Sequence, residues 1–480
     1  CADLRARFAQ RRQRLQTVVR PMMQHHQTSV FHRLDLKATA ELYADDDFPP
    51  APGDACEPMT RVRHQIFRAE VKKRRQQSDW QTHEDQAFAI LREAVIDQVP
   101  DGVQPRNTLL RDQIVWGRSP VRLDLAGGWT DTPPYCIQYG GSVVNIAAEL
   151  NGQPPIQVFA RRCEQPEIVL RSIDLGLEEH LTTYGQIADH QQVGSGFTIG
   201  RAALALAGFH PDFCARPHSD LKAQLQASGG GLELTILAAV PKGSGLGTSS
   251  ILAATILGVL GEVCGLDWTD EDVVTRTFAL EQMLTTGGGW QDQVGGVMRG
   301  IKLARTAPGF RQVPAVQYLP EHALGAGRLN QSVLLYYTGI TRVAKDILQE
   351  IVRGMFLNAA DHLAIIADIH ANAAVARDAV AHDDDARIAA AVDRSWQLNQ
   401  RLDPDTNPSA VQRLIERIAD YTQAVKLLGA GGGGYMLILA KDPEAGARIR
   451  AELGKPEDRR QGARFVDLNI SNTGLEITRS

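Results

Sequence analysis

A chain of 480 residues, 43% hydrophobic and 22% charged, is long enough for two or three domains around a substantial core. Its formal net charge of −5 argues against nucleic acid as the main partner, and no apolar run approaches the roughly 20 residues that span a bilayer. The six cysteines (Cys1, Cys56, Cys136, Cys163, Cys214, Cys264) are scattered, without a C-x-x-C pair and without a secretory signal ahead of them, which reads as reduced thiols in a cytoplasmic protein rather than a disulfide frame or a zinc site.

Residues 1–111 read as a helical linker or accessory segment. Leu4, Phe8, Leu15, Val18, Val19 and Met22 form a helical stripe among the arginines Arg5, Arg7, Arg11, Arg12 and Arg14. The basic run reads as a solvated face or a domain contact rather than a nucleic-acid arm. A Pro/Asp-rich break spans Asp45 to Gly53, and two further helices are expected around Val62, Ile66 and Ala69 and around Ala87, Leu91 and Val95. No chemistry is read in this segment.

The composition shifts at Asp112. Ile114 to Leu125 reads as a strand bent at Ser119-Pro120. It enters a rigid Gly/Pro-rich loop, Ala126-Gly127-Gly128-Trp129-Thr130-Asp131-Thr132-Pro133-Pro134. That loop presents Trp129, Thr130 and Asp131 together, an aromatic face and a carboxylate that could hold a sugar; a turn closed by Asp131 fits the same residues. Strands follow at Gly140–Ala147 and Ile156–Ala160, and a helix at Thr198–Leu206.

The strand Leu232–Val240 runs into Pro241-Lys242-Gly243-Ser244-Gly245-Leu246-Gly247-Thr248-Ser249-Ser250, which opens the buried helix beginning at Ile251. Strand, glycine loop and helix in that order make an anion cradle, with amides and the positive helix end facing the ligand. A Ser/Thr-capped turn is the plainer alternative. The loop is not a Walker loop, because Lys242 precedes the glycines, and the glycine spacing does not match a dinucleotide fingerprint. The next helix carries Glu281, suited to a hard cation or to a solvated face. Thr286-Gly287-Gly288-Gly289-Trp290-Gln291-Asp292-Gln293 follows, in which Asp292 reads as a general base or as a helix cap.

The last third has a strand at Ser332–Thr338 and helices at about Ala344–His382, Asp384–Leu402 and Ser409–Tyr421. A second glycine loop, Gly429-Ala430-Gly431-Gly432-Gly433-Gly434, precedes the strand Tyr435–Leu439, and Arg464–Ile470 reads as the closing strand. His362, His370 and His382 lie on helical stretches without metal spacing.

Three motifs thus stand in order: Arg122-x-Asp124-x-Ala126-Gly127-Gly128-x-Thr130-Asp131, the loop Pro241 to Ser250, and the loop Gly429 to Gly434. Together they resemble the GHMP kinase superfamily over roughly Ile114 to Ser480. Leu123 to Pro134, Leu150 to Ile156 and Gly287 to Gln293 look most like L-fucose kinases, in particular the kinase half of bifunctional fucokinase/GDP-fucose pyrophosphorylases. The resemblance implies an α+β fold, with an S5-like N-terminal kinase domain (112–328) and a ferredoxin-like C-terminal domain (329–480). It also implies ATP and Mg²⁺ as cofactors and L-fucose as the sugar. Lys242, Gly243, Ser244, Gly245, Leu246, Gly247, Thr248, Ser249 and Ser250 would wrap the phosphates. Thr248 or Ser249 and Glu281 would serve Mg²⁺. Gly128, Trp129, Thr130, Asp131, Gly431 and Gly432 would line the sugar site, and Asp292 with Arg122 would carry the chemistry. Trp129 and Trp290 would favour a 6-deoxy sugar. An upstream pyrophosphorylase domain would account for the absent initiator Met; homo-oligomerisation stays open. The rival readings are a heptose 7-phosphate kinase and a catalytically dead sugar sensor on the same scaffold.

Overall fold

The computed structural model describes residues 10, 13, 17–19, 21–26, 28–43, 48, 51–100, 102–190, 195–241, 243–284, 288–325, 328–340, 345–456 and 462–480. Arg5, Arg7, Arg11, Arg12, Arg14, Leu4, Phe8, Leu15, most of the Asp45–Gly53 break, Lys242, Thr286 and Gly287 lie outside the described residues. Two compact units are present, Cys1–Gln98 with Leu348–Ile366, and Val99–Ile347 with Ala367–Ser480.

In the first unit, helices α1 (Pro58–Arg74) and α2 (Trp80–Ile96) pack against each other. Both expected helices are there. Val62, Ile66, Phe67 and Leu91 are sealed in the unit's core with Phe31 and Leu36. The unit also takes in residues 348–366, which sequence reading gave to the last third of the chain. The helix Lys345–Phe356 carries the buried Arg353, whose guanidinium is answered by Glu70 of α1 at 2.9 Å and by Glu84 of α2. A pair of opposed acids is what a buried arginine needs.

The second unit holds the sheets. Strand β1 (Ile114–Ser119) and β2 (Val121–Ala126) flank the expected bend at Pro120, and they enter different sheets. The others are β3 (Ser142–Leu150), β4 (Ile156–Cys163), β5 (Ile168–Ser172), β6 (Leu177–Leu181), β7 (Gly231–Ala238), β8 (Ile301–Arg305), β9 (Ala315–Leu319), β10 (Val333–Tyr337), β11 (Thr422–Leu427), β12 (Tyr435–Ala440), β13 (Arg464–Val466), β14 (Leu468–Ile470) and β15 (Glu476–Arg479). One sheet runs β15-β1-β4-β7-β5-β6; a second runs β14-β3-β8-β9 with β2 on β3. The third runs β11-β12-β10-β13, with antiparallel pairs throughout. With helices between β10 and β11 and between β12 and β13, this last sheet has the β-α-β-β-α-β order of a ferredoxin-like layer. The expected closing strand is split in two, and the chain returns to earlier sheets: β14 pairs with β3 and β15 with β1.

Helix α3 (Thr248–Val263) packs across β1 and β4. It is apolar on nearly every face, which suits a helix covered all round. Ile251, Ile256, Leu257 and Leu260 are fully buried, each contributing about 1.5–3 kcal/mol. Helix α4 (Asp270–Leu284) begins with Asp270, Glu271 and Asp272, matching the expected acidic first turn. Helix α5 (Gln291–Val297) packs against α3. Among the described residues no helix is long and apolar enough to cross a membrane.

Candidate active site

Every residue of β2 is buried, so its two charged side chains require partners. Arg122 Nε donates to Asp292 Oδ1 at 2.6 Å and its Nη1 to the Gly245 carbonyl at 2.7 Å. One guanidinium therefore joins β2, the glycine loop and the first turn of α5. Burial alone would draw Arg122 down, but Asp292, Asp124 and Asp131 around it outweigh that and hold it above its ordinary value. Asp292 keeps 26% of its side chain exposed, in contrast to Arg122 at 3%. The Trp290 position precedes α5 without any side-chain cap, so Asp292 faces Arg122 instead of closing the helix.

Gly247 shows why the loop is glycine there. Its φ is +75°, and a Cβ would come 2.9 Å from Asp292 Cγ. The backbone can thus lie directly against the carboxylate. Gly247 also starts α3 with no side-chain cap, leaving the first turn of that helix open to an anion beside Asp292. Ser244 Oγ lies 3.2 Å from Thr248 Oγ1. The second glycine loop buttresses the first: Tyr435 N donates to the Ser244 carbonyl at 2.9 Å, and a Cβ on Gly429 would meet Gly245 Cα at 2.8 Å. Gly431 and Gly432 pack instead on Thr406, whose carbonyl accepts from Gly432 N at 2.7 Å.

Asp131 is 1% exposed. It accepts from Trp129 N and Gln291 N, each at 3.1 Å, tying its loop to the start of α5. Gly289 passes so close that a Cβ would collide with Asp131 Oδ2. Burial, reinforced by Asp292, pushes Asp131 up to about 7. Its oxygens retain lone pairs for further donors. Gly128 leaves room for the Asp124 carboxylate, 2.6 Å from where its Cβ would be.

Two sequence assignments are corrected. Thr130 is fully buried, and its hydroxyl is engaged by the Gly127 and Ser142 carbonyls at 2.7 and 3.0 Å and by Ser142 N at 2.9 Å, so it builds the loop and has nothing left for a sugar. Trp290 is 0% exposed; its Nε1 donates to Gln312 Oε1 at 3.2 Å and its ring fills the space beside Gly141. It belongs to the core and is no wall of a sugar pocket. Trp129, 8% exposed at φ +82°, stays at the loop tip.

Around the proposed cation, the hydroxyl meeting Glu281 is that of Ser250, donating to Oε1 at 2.9 Å. Thr248 turns to Ser244, and Ser249 is exposed. Burial raises Glu281 to about 7, with the Ser250 bond opposing and Asp292 adding to the rise. Oxygen donors with two mutually repelling carboxylates suit a hard dication such as Mg²⁺. For an acid raised in this way the folded state keeps its proton longer than the unfolded chain, so stability is full at low pH and is lost as pH climbs from 4.5 to about 7. Glu281→Gln is therefore expected to stabilise the ligand-free chain by about 1–3 kcal/mol near pH 8 and not near pH 4, read by urea denaturation. Equal stability of the two proteins at both pH values would contradict the burial of that carboxylate.

Sequence reasoning assigned no role to three further groups. Lys426 of β11 is 1% exposed and its Nζ sits 2.7 Å from Asp124 Oδ2 and 3.2 Å from the Asp124 carbonyl. Asp124 Oδ1, Gln291 Oε1 and both amide atoms of Gln293 are buried without a hydrogen-bond partner among the described residues. Charges within apolar runs, Asp124 in Val121–Ala126 and Lys426 in Val425–Leu428, were the signal for the Lys426–Asp124 pair. Gln291 and Gln293 flank Asp292 and could have been read with it.

With this geometry in hand, comparison with known proteins is direct. The family model for the GHMP kinases N terminal domain matches residues 215–300, and that for GHMP kinases C terminal matches 376–458. The chain is similar to the L-fucokinase/L-fucose-1-P guanylyltransferase of Bacteroides fragilis, 46% identical over all of this chain and 51% of that protein. It thus spans about half the length of that relative. The D-glycero-alpha-D-manno-heptose 7-phosphate kinase of Campylobacter jejuni is 26% identical over 74% of this chain and 97% of that one. The solved Lactococcus lactis galactokinase with galactose superposes with a TM-score of 0.55 at 16% identity, covering 76% of this chain and 95% of that chain. The N terminal and C terminal domain models of the GHMP kinases thus match in order along the chain, and the fold agrees with that of the solved galactokinase.

Proposed function

We propose that this chain transfers the γ-phosphoryl group of ATP to the anomeric hydroxyl of L-fucose, giving L-fucose 1-phosphate for a GDP-fucose salvage route. The observation that carries a kinase reading is the Arg122–Asp292 pair held against Gly247 at the uncapped start of α3. A phosphate chain on those amides brings its terminal group to Asp292. The sugar itself rests on the likeness to a relative named as an L-fucokinase along the whole chain, against the lower identity to the heptose phosphate kinase.

Asp292 would orient the anomeric hydroxyl and take its proton. Arg122 holds that carboxylate in place through the 2.6 Å contact and offsets charge on the moving phosphoryl group. The loop Gly243–Ser250 would wrap the phosphates, with Gly429–Gly434 bracing it. Asp131, Trp129 and the backbone at Gly128 would receive the sugar, and the unpartnered Oε1 of Gln291, next to Asp292, offers a further hydroxyl contact. Mg²⁺ would be held by Glu281 with a hydroxyl from Thr248, Ser249 or Ser250; when bound it neutralises phosphate charge. Positioning and charge neutralisation are what this reaction class demands. The proposed kinase domains would divide at 328/329, with an accessory segment, residues 1–111, ahead of them and residues 348–366 belonging to the first unit. Partners would be ATP and a small sugar, with a fused nucleotidyl-transfer domain as the relative's name, L-fucokinase/L-fucose-1-P guanylyltransferase, pairs the two.

The test is phosphate transfer from Mg·ATP across a sugar panel that includes L-fucose, galactose and a heptose 7-phosphate. The expected result is transfer to L-fucose with the highest kcat/KM. Transfer only to the heptose phosphate would reassign the substrate; sugar binding without transfer would favour the sensor.

A further inference from the structure

The helical unit, in which the sequence showed no chemistry, holds three buried histidines that the kinase site does not use. His26 follows the helical turn at Pro21–Gln24, His32 sits in the 3-10 turn Phe31–Arg33, and His64 projects from α1. They are 6%, 6% and 0% exposed. One ring nitrogen from each can be chosen so that all lie within 4.8 Å of one another. The ring centroids are 5.4 Å apart for His26–His32, 4.9 Å for His26–His64 and 6.1 Å for His32–His64.

Neither ring nitrogen of His32 or of His64 has a hydrogen-bond partner among the described residues. Four polar atoms left bare in an apolar core are costly, and such groups in native proteins call for a missing partner. The surrounding frame is well held. The His32 carbonyl accepts from Asn358 Nδ2 at 2.9 Å, Arg63 Nη2 donates to Asn358 Oδ1 at 3.0 Å, and Phe31 packs edge-on against Phe67 at 5.0 Å. The histidines are therefore brought together by a fixed backbone.

We propose that His26, His32 and His64 form a divalent zinc site that staples the segment 26–32 to α1. The donor set decides the metal class. Three imidazoles and no carboxylate suit Zn²⁺ and its neighbours in the transition series, and do not suit Mg²⁺ or Ca²⁺. The site is thus chemically separate from the oxygen-donor group at Glu281. Three protein ligands leave a fourth position for water. A metal that closes the chain between residue 26 and residue 64 stabilises the unit by constraining the loop that the unfolded chain would leave open.

The probe is Co²⁺, whose visible bands report four-coordinate nitrogen ligation, added to the full chain after chelator treatment. About one equivalent should bind per chain, with intense visible bands that Zn²⁺ displaces, and Zn²⁺ should raise the thermal midpoint. His32→Gln and His64→Gln should each weaken Co²⁺ affinity by tenfold or more, with circular dichroism checking that the variants remain folded. The wild-type titration stands even if they do not. Absence of visible bands in the wild-type chain, or the same Co²⁺ binding in a triple His26→Gln, His32→Gln, His64→Gln variant, would overturn the proposal. Three neutral rings merely packed in the core would give the first of these results.

Discussion

Asp292→Asn is expected to lower kcat by about 10²–10⁴ while leaving the affinity for ATP unchanged. The amide keeps an oxygen that can accept from Arg122 Nε, so the 2.6 Å contact and the placement of α5 survive. What is lost is the capacity to hold the proton of the sugar hydroxyl. The glycine loop does not need that charge, because its amides and the start of α3 bind phosphate by themselves. Steady-state kinetics beside nucleotide titration separate the two effects. Turnover within tenfold of the wild type would remove Asp292 from the chemistry and leave it as a partner of Arg122 alone.

The second large effect concerns stability. Lys426→Met is expected to cost about 3–5 kcal/mol, because it strands the Asp124 carboxylate in the core. Lys426 comes from β11 of the ferredoxin-like sheet, and Asp124 lies two residues from Arg122 on the same face of β2. One oxygen of Asp124 already lacks a hydrogen-bond partner among the described residues, and the nearby Arg122 is committed to Asp292 and the Gly245 carbonyl. Burial pulls the Lys426 ammonium below its ordinary value, and Asp124 opposes that. The double variant Asp124→Asn with Lys426→Met removes both charges and should recover most of the loss, since a neutral pair carries no such desolvation cost. Equilibrium unfolding in urea measures both variants. A single variant within about 1 kcal/mol of the wild type would mean that the two groups are not paired in the core.

Much of the site was legible because its chemistry depends on local backbone. The Pro241–Ser250 loop had to follow a strand and open a helix, and it follows β7 and opens α3. Asp292 stood among glycines that close approach required, and Gly247 and Gly289 do crowd Asp292 and Asp131. What escaped was set by contacts between distant residues. Lys426 and Asp124 are separated by most of the kinase region, and neither run alone named its partner. Ser250 rather than Thr248 reaches Glu281 because the turn of α3 decides which hydroxyl faces α4. Trp290 reads in the sequence as a wall for a 6-deoxy sugar beside Trp129, whereas its ring fills the core. Strands β5, β6, β8, β9 and β15 were missed because they are short, and their register comes from neighbouring strands rather than from their own alternation. His26, His32 and His64 follow no metal-binding spacing, and only the packing of residues distant in sequence brings them together.

The most direct test of the account is the position of the phosphate in the product. Purified chain, Mg·ATP and L-fucose should yield a sugar phosphate whose phosphorus couples to the anomeric proton in the NMR spectrum, and the yield should collapse in the Asp292→Asn variant run alongside. Phosphate on another hydroxyl, or equal yield from the variant, would contradict the placement of the anomeric oxygen at Asp292.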